Sequence, residues 1–322
     1  MTGTAWAHPN IALVKYWGKR DDVLNLPFTD SLSVTLDRLA TVARVRFERG
    51  LAADVVTVDG VLAESNVHER VAQFLDRVRT LAGTRLRVRV DSTTEAPIGA
   101  GLASSAAAFA ALALATVRAL HLSLDLPGLS RLARQGSGSA CRSIFPGFVQ
   151  WNAGERADGL DSVAYPLFPP DHWPLTLLAV VVDGQAKTLS SREAMRRTVT
   201  TSPFYPAFRE TAAQDLSTVR AALAARDWER LGPAVEAHAL AMHAVSLAAR
   251  PPICFWRPAT VRVLEAVRRL RSEGFTAYCT LDAGPNPVVL CPNDEATAVA
   301  RRLERLAGPT GIIPCRPGPG AG

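Results

Sequence analysis

Three side chains that could bind an anion lie within five residues near the start of the chain. The segment HPNIALVKYWGK begins at His8 and carries Lys15, Tyr16 and Lys19. Two ammonium groups and a phenol so close together could hold a phosphate or a carboxylate. The structural alternative is a solvated strand end with one aromatic residue in the core, and the segment by itself leaves both interpretations open.

A glycine-rich turn leads directly into an alanine-rich segment that predicts a buried helix from about residue 103 to residue 120. The candidate ligand-binding positions in the turn are Gly99, Gly101, Leu102, Ala103, Ser104 and Ser105. Glycines let backbone N–H groups approach a ligand, and the helix N terminus adds unpaired donors and partial positive charge. The two serine hydroxyls could reach phosphate oxygens or a metal ion, which predicts a phosphate cradle. A helix cap with close packing of small residues is the alternative, because the spacing fits neither the P-loop nor the dinucleotide fingerprint.

A second small-residue segment, GSGSACRS, spans residues 136–143. Its alternating glycines and serines, including Ser137 and Ser139, offer backbone and hydroxyl donors. Arg142 offers a two-pronged guanidinium that suits a carboxylate or a phosphate. A flexible loop is the alternative interpretation.

A carboxylate stands at a tight turn near the C-terminal end of the chain, in the sequence LDAGPN. Asp282 follows a predicted buried strand and precedes Gly284-Pro285, which places it well to act as a base. An Asx turn would use the same residues, so the motif alone does not decide.

Composition limits the classes of protein and partner that these motifs could serve. The 322 residues carry 36 lysines and arginines against 30 aspartates and glutamates, a net charge of +6. The basic residues are scattered, and no basic stripe interleaved with aromatics supports nucleic-acid binding, so a small anionic substrate is the better expectation. Five cysteines with no C-x-x-C spacing predict free thiols in a cytoplasmic protein, and the six histidines have no paired metal spacing. We expect neither a signal peptide nor a membrane span.

The hydrophobic pattern predicts an α+β protein that would position these motifs. Strands are expected over 32–48, 55–61, 85–90, 147–151, 175–182, 277–281 and 287–290. Helices are expected over 64–81, 103–120, 128–134, 191–200, 206–225, 228–249, 260–273 and 295–306. The length favours two domains, with a boundary near residue 180 and helices concentrated after it. The tail RPGPGAG is predicted to fray.

Taken together, the motifs resemble those of the mevalonate diphosphate decarboxylases, decarboxylating members of the GHMP kinase superfamily. The resemblance is carried by NIALVKYWGKRD, GLASSAAAFAALA, GSGSACRS, SSREAM, TVTTSPFYPAF, MHAVSLAARPPICFW and AYCTLDAGPN, in the family's order. It covers nearly the whole chain, from residue 8 to residue 291.

This resemblance implies a fold, a reaction and an assembly. The implied fold is a two-domain GHMP-kinase fold with a ribosomal protein S5 domain 2-like N-terminal portion (1–180) and a ferredoxin-like C-terminal portion (181–322). The active site would lie in the cleft between the two domains. ATP and Mg²⁺ would be cosubstrates for the conversion of (R)-5-diphosphomevalonate to isopentenyl diphosphate, CO₂, ADP and phosphate, in the mevalonate pathway of isoprenoid biosynthesis. A cytoplasmic homodimer is the implied assembly.

The resemblance also implies a role for each matching residue. Asp282 would orient or deprotonate the 3-hydroxyl of the substrate, and Arg142 would hold its carboxylate. Lys19 would lie close to the reacting groups, where its charge could lower the pKa of Asp282. Ser191 would sit near the transferring phosphoryl group. The residues expected to bind the substrate diphosphate are Tyr16, Ser137, Ser139 and Arg192. The segment from Gly99 to Ser105 would hold the ATP phosphates, and Ser105 is the candidate for Mg²⁺.

Several positions depart from the family's usual pattern. They are Thr94, Ile98, Thr200, His238 and Val288. They could change nucleotide handling or adapt the site to a related substrate such as 5-phosphomevalonate. His238 is interpreted as a core histidine with its hydrogen bonds satisfied. A kinase that stops after phosphorylation, and a paralogue that binds without catalysis, remain the competing functional hypotheses.

Overall fold

The computed structural model describes residues 1–95, 104–184 and 189–322. The strands are β1 (Thr2–Ala7), β2 (Asn10–Val14), β3 (Lys19–Asp21), β4 (Leu26–Pro27), β5 (Ser31–Thr35), β6 (Thr41–Glu48), β7 (Val55–Val58), β8 (Val61–Leu62), β9 (Arg87–Thr94), β10 (Phe148–Trp151), β11 (Ala164–Phe168), β12 (Leu175–Val181), β13 (Tyr278–Leu281), β14 (Pro287–Pro292) and β15 (Gly311–Cys315). The helices are α1 (Ser65–Ala82), α2 (Ser104–Ala119), α3 (Leu126–Gly136), α4 (Ala140–Ser143), α5 (Ser191–Thr201), α6 (Tyr205–Ala225), α7 (Trp228–Leu247), α8 (Pro258–Ser272) and α9 (Ala296–Ala307).

The first sheet has the order β1-β6-β9-β7-β8 and is covered on one face by helices. Inward positions of β6 alternate with outward ones, as expected for a strand with one solvated face. The alanine-rich α2 lies very close to β1: a Cβ added at Gly3 would meet the carbonyl oxygen of Ala115 at 2.1 Å. Small residues are therefore needed on both sides of this contact, which explains the composition of α2.

Two further sheets pack against each other and bring distant parts of the chain together. One has the order β11-β10-β5-β2, and the other has the order β13-β14-β12-β15. A single apolar cluster joins them through Ile11 and Leu13 of β2, Leu177 of β12 and Leu290 of β14. Because β2 is buried along its whole length, its C-terminal end faces the end of β13 rather than solvent.

The predicted elements are largely confirmed, with one clear exception at the C terminus. The tail predicted to fray is hydrogen-bonded to the N-terminal half: the Gly318 amide donates to the Thr35 carbonyl at 2.7 Å, and the Gly322 amide to the Trp6 carbonyl at 3.0 Å. The Gly147 amide in turn donates to the Gly318 carbonyl at 2.9 Å. The prediction was wrong because these bonds join residues far apart in the chain, and a glycine- and proline-rich composition carries no sign of them.

The strands that escaped prediction are short or lack alternation. β2 and β15 depend on partners that lie elsewhere in the chain. Within the described residues, no helix is both long enough and apolar enough to cross a membrane.

Candidate active site

A pocket of about 420 Å³ collects most of the predicted site residues. It is lined by Asn10, Ala12, Lys15, Tyr16, Trp17, Lys19, Asn25, Arg70, Ser104, Ser105, Ser137, Gly138, Ser139, Arg142, Ser190, Ser191, Arg192, Met195, Met242, Asp282 and Ala283. These residues lie mainly on β2 and the segment after it, on β3, α1, α4 and α7, in the first turns of α2 and α5, and in the turn after β13. Polar segments that are distant in sequence therefore share one cavity.

A buried ion pair lies at the centre of the pocket. Lys15 Nζ donates to Asp282 Oδ1 at 2.7 Å and to the Ala12 carbonyl at 2.8 Å. Lys15 is 1% exposed, whereas the Asp282 side chain keeps 28% of its surface accessible from the pocket. Burial lowers the pKa of Lys15, and the carboxylate beside it acts in the opposite direction. The aspartate is thus held in one orientation by a cation behind it and presents its remaining surface to the pocket.

This contact corrects the expected arrangement of the two lysines. The lysine that contacts Asp282 is Lys15, whereas Lys19 Nζ donates to Asn25 Oδ1 at 2.7 Å and lies 3.4 Å from Asp22 Oδ1. Both lysines line the pocket. The two positions are alike in local sequence, so their different partners follow only from how β2 is placed against β13.

Arg142 is held rigidly at the floor of the pocket. Its Nε donates to Asn10 Oδ1 at 3.1 Å and to Ser33 Oγ at 2.9 Å, and its Nη1 donates to Ser31 Oγ at 2.5 Å. All three acceptors are neutral, and Arg142 is only 2% exposed. Burial lowers the pKa of the Arg142 guanidinium, although it remains charged near neutral pH. A buried cation that is oriented by neutral groups is suited to bind a carboxylate from a ligand.

A second positive region is formed by Lys19, Arg70 and Arg192. Burial lowers the pKa of Lys19 to about 8, and Arg192 and Arg70 add to this effect through charge repulsion. Burial, with Arg192 next, likewise lowers the pKa of Arg70 to about 10, and the Arg70 Nε is buried without a hydrogen-bond partner. Three cations that repel one another in a cavity favour a multiply charged anion such as a diphosphate.

The sequence analysis missed Arg70. It lies on α1, where no local motif marks it, and its guanidinium packs 5.2 Å from the centre of the Phe109 ring. The same analysis missed Asn10, whose amide nitrogen donates to the Ser139 carbonyl at 3.0 Å and to Ser143 Oγ at 2.8 Å. Arg70 could have been found only from contacts between distant segments, whereas Asn10 begins the NIALVKYWGKRD motif, which was a signal for it.

The predicted serines line the pocket through the ends of several helices. Ser104 and Ser105 begin α2, and the Oγ atoms of Ser105 and Ser137 lie 3.3 Å apart. Ser191 and Arg192 occupy the first turn of α5, which Ser190 caps by accepting from the Glu193 amide at 3.2 Å. Two helix N termini thus contribute residues to one cavity, which favours phosphate groups. The predicted ligand positions Gly99, Gly101, Leu102 and Ala103 lie outside the described residues.

The close approach of Tyr16 explains why the residue between Ser137 and Ser139 is a glycine. Tyr16 packs edge-to-face on Trp151 at 4.7 Å between ring centres, and a Cβ at Gly138 would lie 2.7 Å from the tyrosine ring. Tyr16 Oη is buried without a partner in the described structure, and burial raises the pKa of Tyr16. The phenol is therefore a neutral donor available to a ligand oxygen.

A neutral histidine lies behind the ion pair. His243 of α7 is buried against Phe255 and Trp256, with ring centres 5.9 and 5.4 Å away. Burial lowers the pKa of His243 to about 4, and the positive charge of Lys15 adds to the effect. At neutral pH the imidazole is uncharged, so it does not compete with Lys15 for Asp282.

The departures from the family pattern that the structure describes lie outside the pocket lining. His238 is buried, its Nδ1 donates to Asp215 Oδ2 at 2.7 Å, and its ring packs on Phe208, as a core histidine does. Its Nε2 has no partner among the described residues, so the expectation that all its hydrogen bonds are satisfied was only half right. Val288 belongs to the core, Thr200 is exposed on α5, and Thr94 ends β9. Ile98 lies outside the described residues.

The lowered pKa of Lys19 predicts how ligand binding depends on pH. Below about pH 8 the free protein carries Lys19 as a cation, and above it the ammonium loses its proton. Affinity for a phosphorylated ligand should therefore be flat below pH 8 and fall by up to about tenfold per pH unit above it. The measurement is the dissociation constant of the substrate between pH 6.5 and 9.5.

The matched variant for this measurement is Lys19→Arg, which keeps the charge throughout that range. It should move the alkaline fall to higher pH. An unchanged alkaline fall in Lys19→Arg would assign the titration to another group.

Comparison with known proteins identifies the family of both halves of the chain. Residues 7–164 match the model for the diphosphomevalonate decarboxylase-like N-terminal domain, and residues 177–315 match the mevalonate 5-diphosphate decarboxylase C-terminal domain. The diphosphomevalonate decarboxylase of Bos taurus is 38% identical over 313 residues, covering 90% of this chain and 77% of the bovine protein.

Solved structures are similar over the full length of the chain. A structure described as MDDEF in complex with MVAPP, AMPPCP and magnesium has a TM-score of 0.95 at 41% identity, covering 100% of this chain and 98% of the other. The mevalonate diphosphate decarboxylase from Enterococcus faecalis has a TM-score of 0.94 at 40% identity, with the same coverage. The similarity therefore includes both domains and the pocket between the sheets.

Proposed function

The chain belongs to the diphosphomevalonate decarboxylase family, and from that premise we propose how its own residues divide the work of the reaction. The protein is an ATP-dependent diphosphomevalonate decarboxylase with the two-domain α+β GHMP-kinase fold. It converts (R)-5-diphosphomevalonate and ATP to isopentenyl diphosphate, CO₂, ADP and phosphate. ATP and Mg²⁺ are its cosubstrates.

The observation that supports this function best is that one pocket contains both a candidate base and a buried cation that could bind a carboxylate. Asp282 forms an ion pair with Lys15. Arg142, which lines the same pocket, is hydrogen-bonded to neutral serine hydroxyls and has no direct ion pair in the described structure. A kinase that only phosphorylates a hydroxyl needs a base such as Asp282. A cation that binds a carboxylate near the reacting carbon is needed only when that carboxylate must leave as CO₂.

We assign the proton transfer to Asp282. Its free surface would accept the proton of the 3-hydroxyl as that oxygen attacks the γ-phosphoryl group of ATP. Lys15 donates to the carboxylate and fixes its orientation before the substrate binds. Loss of phosphate from C3 then leaves an electron-deficient carbon. As CO₂ departs, the electrons of the C1–C2 bond form the C2=C3 double bond of the product. Arg142 would hold the carboxylate until this step.

We assign the remaining residues to phosphate binding. Lys19, Arg70 and Arg192, with the Tyr16 hydroxyl and the serines at 137 and 139, would bind the substrate diphosphate. Ser104, Ser105 and Ser191, with the N termini of α2 and α5, would face the ATP phosphates. Positioning and charge neutralisation carry most of the catalysis in such phosphoryl transfers.

The groups in this pocket that could coordinate Mg²⁺ are oxygen donors. No group of three or more histidine, cysteine, aspartate or glutamate side chains in the described ranges could hold a metal ion alone. The ion prefers phosphate oxygens with one or two protein oxygens, and Ser105 Oγ lies at the pocket end of α2 where it could be one of them. When bound, Mg²⁺ would neutralise charge on the nucleotide phosphates.

The direct test follows ADP and CO₂ together. Purified protein is incubated with MgATP and either 5-diphosphomevalonate or 5-phosphomevalonate. We expect equal amounts of ADP and CO₂ with the diphosphate. ADP without CO₂ would indicate a kinase, turnover with the monophosphate alone would change the substrate, and no product from either would reject the assignment.

Three further proposals concern organisation. We propose two domains with the boundary close to the predicted residue 180, and the pairing of β12 with β14 and β15 supports placing it before Leu175.

We propose a homodimer, supported by the exposed apolar side chains of Phe204 and Leu247 and testable by light scattering of the purified protein. We propose a cytoplasmic location, supported by five cysteines that are all free thiols.

A further inference from the structure

The side chain of Asn286 joins the turn that carries Asp282 to the end of β12. Its Oδ1 accepts hydrogen bonds from the Val182 amide at 2.7 Å and from the Asp183 amide at 3.0 Å. Its Nδ2 donates to the Asp183 carbonyl at 2.9 Å. Asn286 is 6% exposed, so these bonds form away from competing water.

The backbone cannot make this connection itself. The paired register between β12 and β14 ends at Ala179 and Val288, and the next residue of β14 is Pro287, which has no N–H to donate. The amide of Asn286 continues the link beyond the last backbone pair. Without it, the segment between Leu281 and Pro287 would lose its side-chain hydrogen bonds to the end of β12 and would keep those from Lys15 and Thr260.

The other contacts of the turn show how tightly it is defined. The Gly284 amide donates to the Asp282 carbonyl at 2.7 Å, and the Thr260 hydroxyl of α8 donates to the Pro285 carbonyl at 2.6 Å. Arg257 Nε, just before α8, donates to Asp183 Oδ2 at 3.0 Å. The turn, the end of β12 and the start of α8 thus form one connected unit, and Asn286 contributes three of its bonds.

We propose that Asn286 is a positioning residue that holds the Asp282 turn in its reactive geometry through the end of β12. This inference rests on the proposed function of Asp282 as the base. The substrate and nucleotide would be bound by residues on β3, α1, α2, α4 and α5 and by the segments just after β2 and just before α4, none of which contains Asn286. Loss of Asn286 should therefore leave their binding largely intact. A displacement of the base by even one ångström, by contrast, is costly to the reaction.

The chain offers a matched control at the other end of the same two strands. Asn293 Oδ1 accepts from Thr176 Oγ1 at 2.7 Å, so it also joins the β14 side to β12 through an asparagine side chain. Asn293 does not line the pocket. Asn286→Ala and Asn293→Ala therefore each remove an asparagine side chain that links β12 to β14, with three hydrogen bonds near the base in the first case and one far from it in the second.

The experiment measures kcat, both KM values and amide hydrogen exchange for the two variants and the wild type. In Asn286→Ala we expect kcat to fall by about tenfold or more, with KM for MgATP and for the diphosphate substrate changed by less than about threefold. The peptide spanning 281–286 should exchange faster, which is read without activity. Asn293→Ala should resemble the wild type in kcat and in the exchange of that peptide.

A milder substitution at the same position allows the proposal to be tested even if Asn286→Ala folds poorly. Asn286→Asp keeps an acceptor for the Val182 and Asp183 amides but loses the donor to the Asp183 carbonyl, so its kcat should lie between those of wild type and Asn286→Ala. Equal kcat in Asn286→Ala and Asn293→Ala, or unchanged exchange over 281–286, would overturn the proposal. An inactive wild type would instead reject the proposed function and leave the exchange result to decide the structural link.

Discussion

Replacing Asp282 with asparagine should lower the rates of ADP and CO₂ formation together, by roughly 10²- to 10⁴-fold. The amide has nearly the shape of the carboxylate and can still accept a hydrogen bond from Lys15, but it cannot take the proton of the substrate hydroxyl. Both products should decline in parallel because decarboxylation depends on the phosphorylated oxygen. The measurement is initial rates of both products with the diphosphate substrate.

Binding and stability of Asp282→Asn separate a chemical effect from a structural one. Calorimetric dissociation constants for MgATP should remain close to those of the wild type. Stability should decline, because Lys15 loses its counter-charge, but by less than the roughly 3–5 kcal/mol of a fully buried broken pair, since the Asp282 side chain is 28% exposed. Asp158→Asn, which changes an exposed carboxylate paired with Arg156, is the control and should have wild-type rates. Continued ADP formation with loss of CO₂ alone would show that Asp282 is not the base.

Replacing Arg142 with glutamine should reduce turnover by roughly 10²- to 10³-fold and raise the KM for the diphosphate substrate. The variant removes the cation that would hold the substrate carboxylate. It also leaves Ser31 and Ser33 without a charged donor. KM for MgATP should be unaffected, because the nucleotide-binding residues lie on other elements.

A graded series tests whether the charge and geometry of Arg142 both matter. Ser31→Ala removes one of its anchors while keeping the guanidinium, so it should have an intermediate effect. Arg142→Lys keeps the charge as a single point and should not restore activity, since an ammonium cannot satisfy Asn10, Ser33 and a ligand in the same plane. Full activity in Arg142→Lys would show that charge alone suffices and that the fork is not needed.

Much of the local structure was predictable because its causes are local. The alternation that predicted β6 and the periodicity that predicted α1 report which side of each element is buried, and both elements formed within a few residues of the expected limits. The Ser202-Pro203 break between α5 and α6 was also visible, since proline cannot continue a helix. The C-terminal tail was not predictable, because its hydrogen bonds are made with Trp6, Thr35 and Gly147.

The sequence by itself determined which chemical groups the site contains. The motifs around Lys15, Arg142 and Asp282 were recognisable as anion-binding or acid–base segments, and the order of the family's motifs in the chain was sufficient to indicate the family. It also determined local geometry that presents them, such as the cap of α5. These features depend on neighbours in the chain or on motifs short enough to read directly.

Only the tertiary structure decided how those groups are paired. Lys15 and Asp282 are 267 residues apart, and nothing in KYWGK distinguishes Lys15 from Lys19 as the partner of the aspartate. The choice follows from the burial of β2 between the sheets, which directs the residue after Val14 towards the end of β13 and leaves Lys19 beside Asn25. Arg70 joined the pocket for the same reason, since a helix carries it there from a segment with no motif. Pairing across such distances is set by how apolar faces pack, and packing is a property of the whole chain.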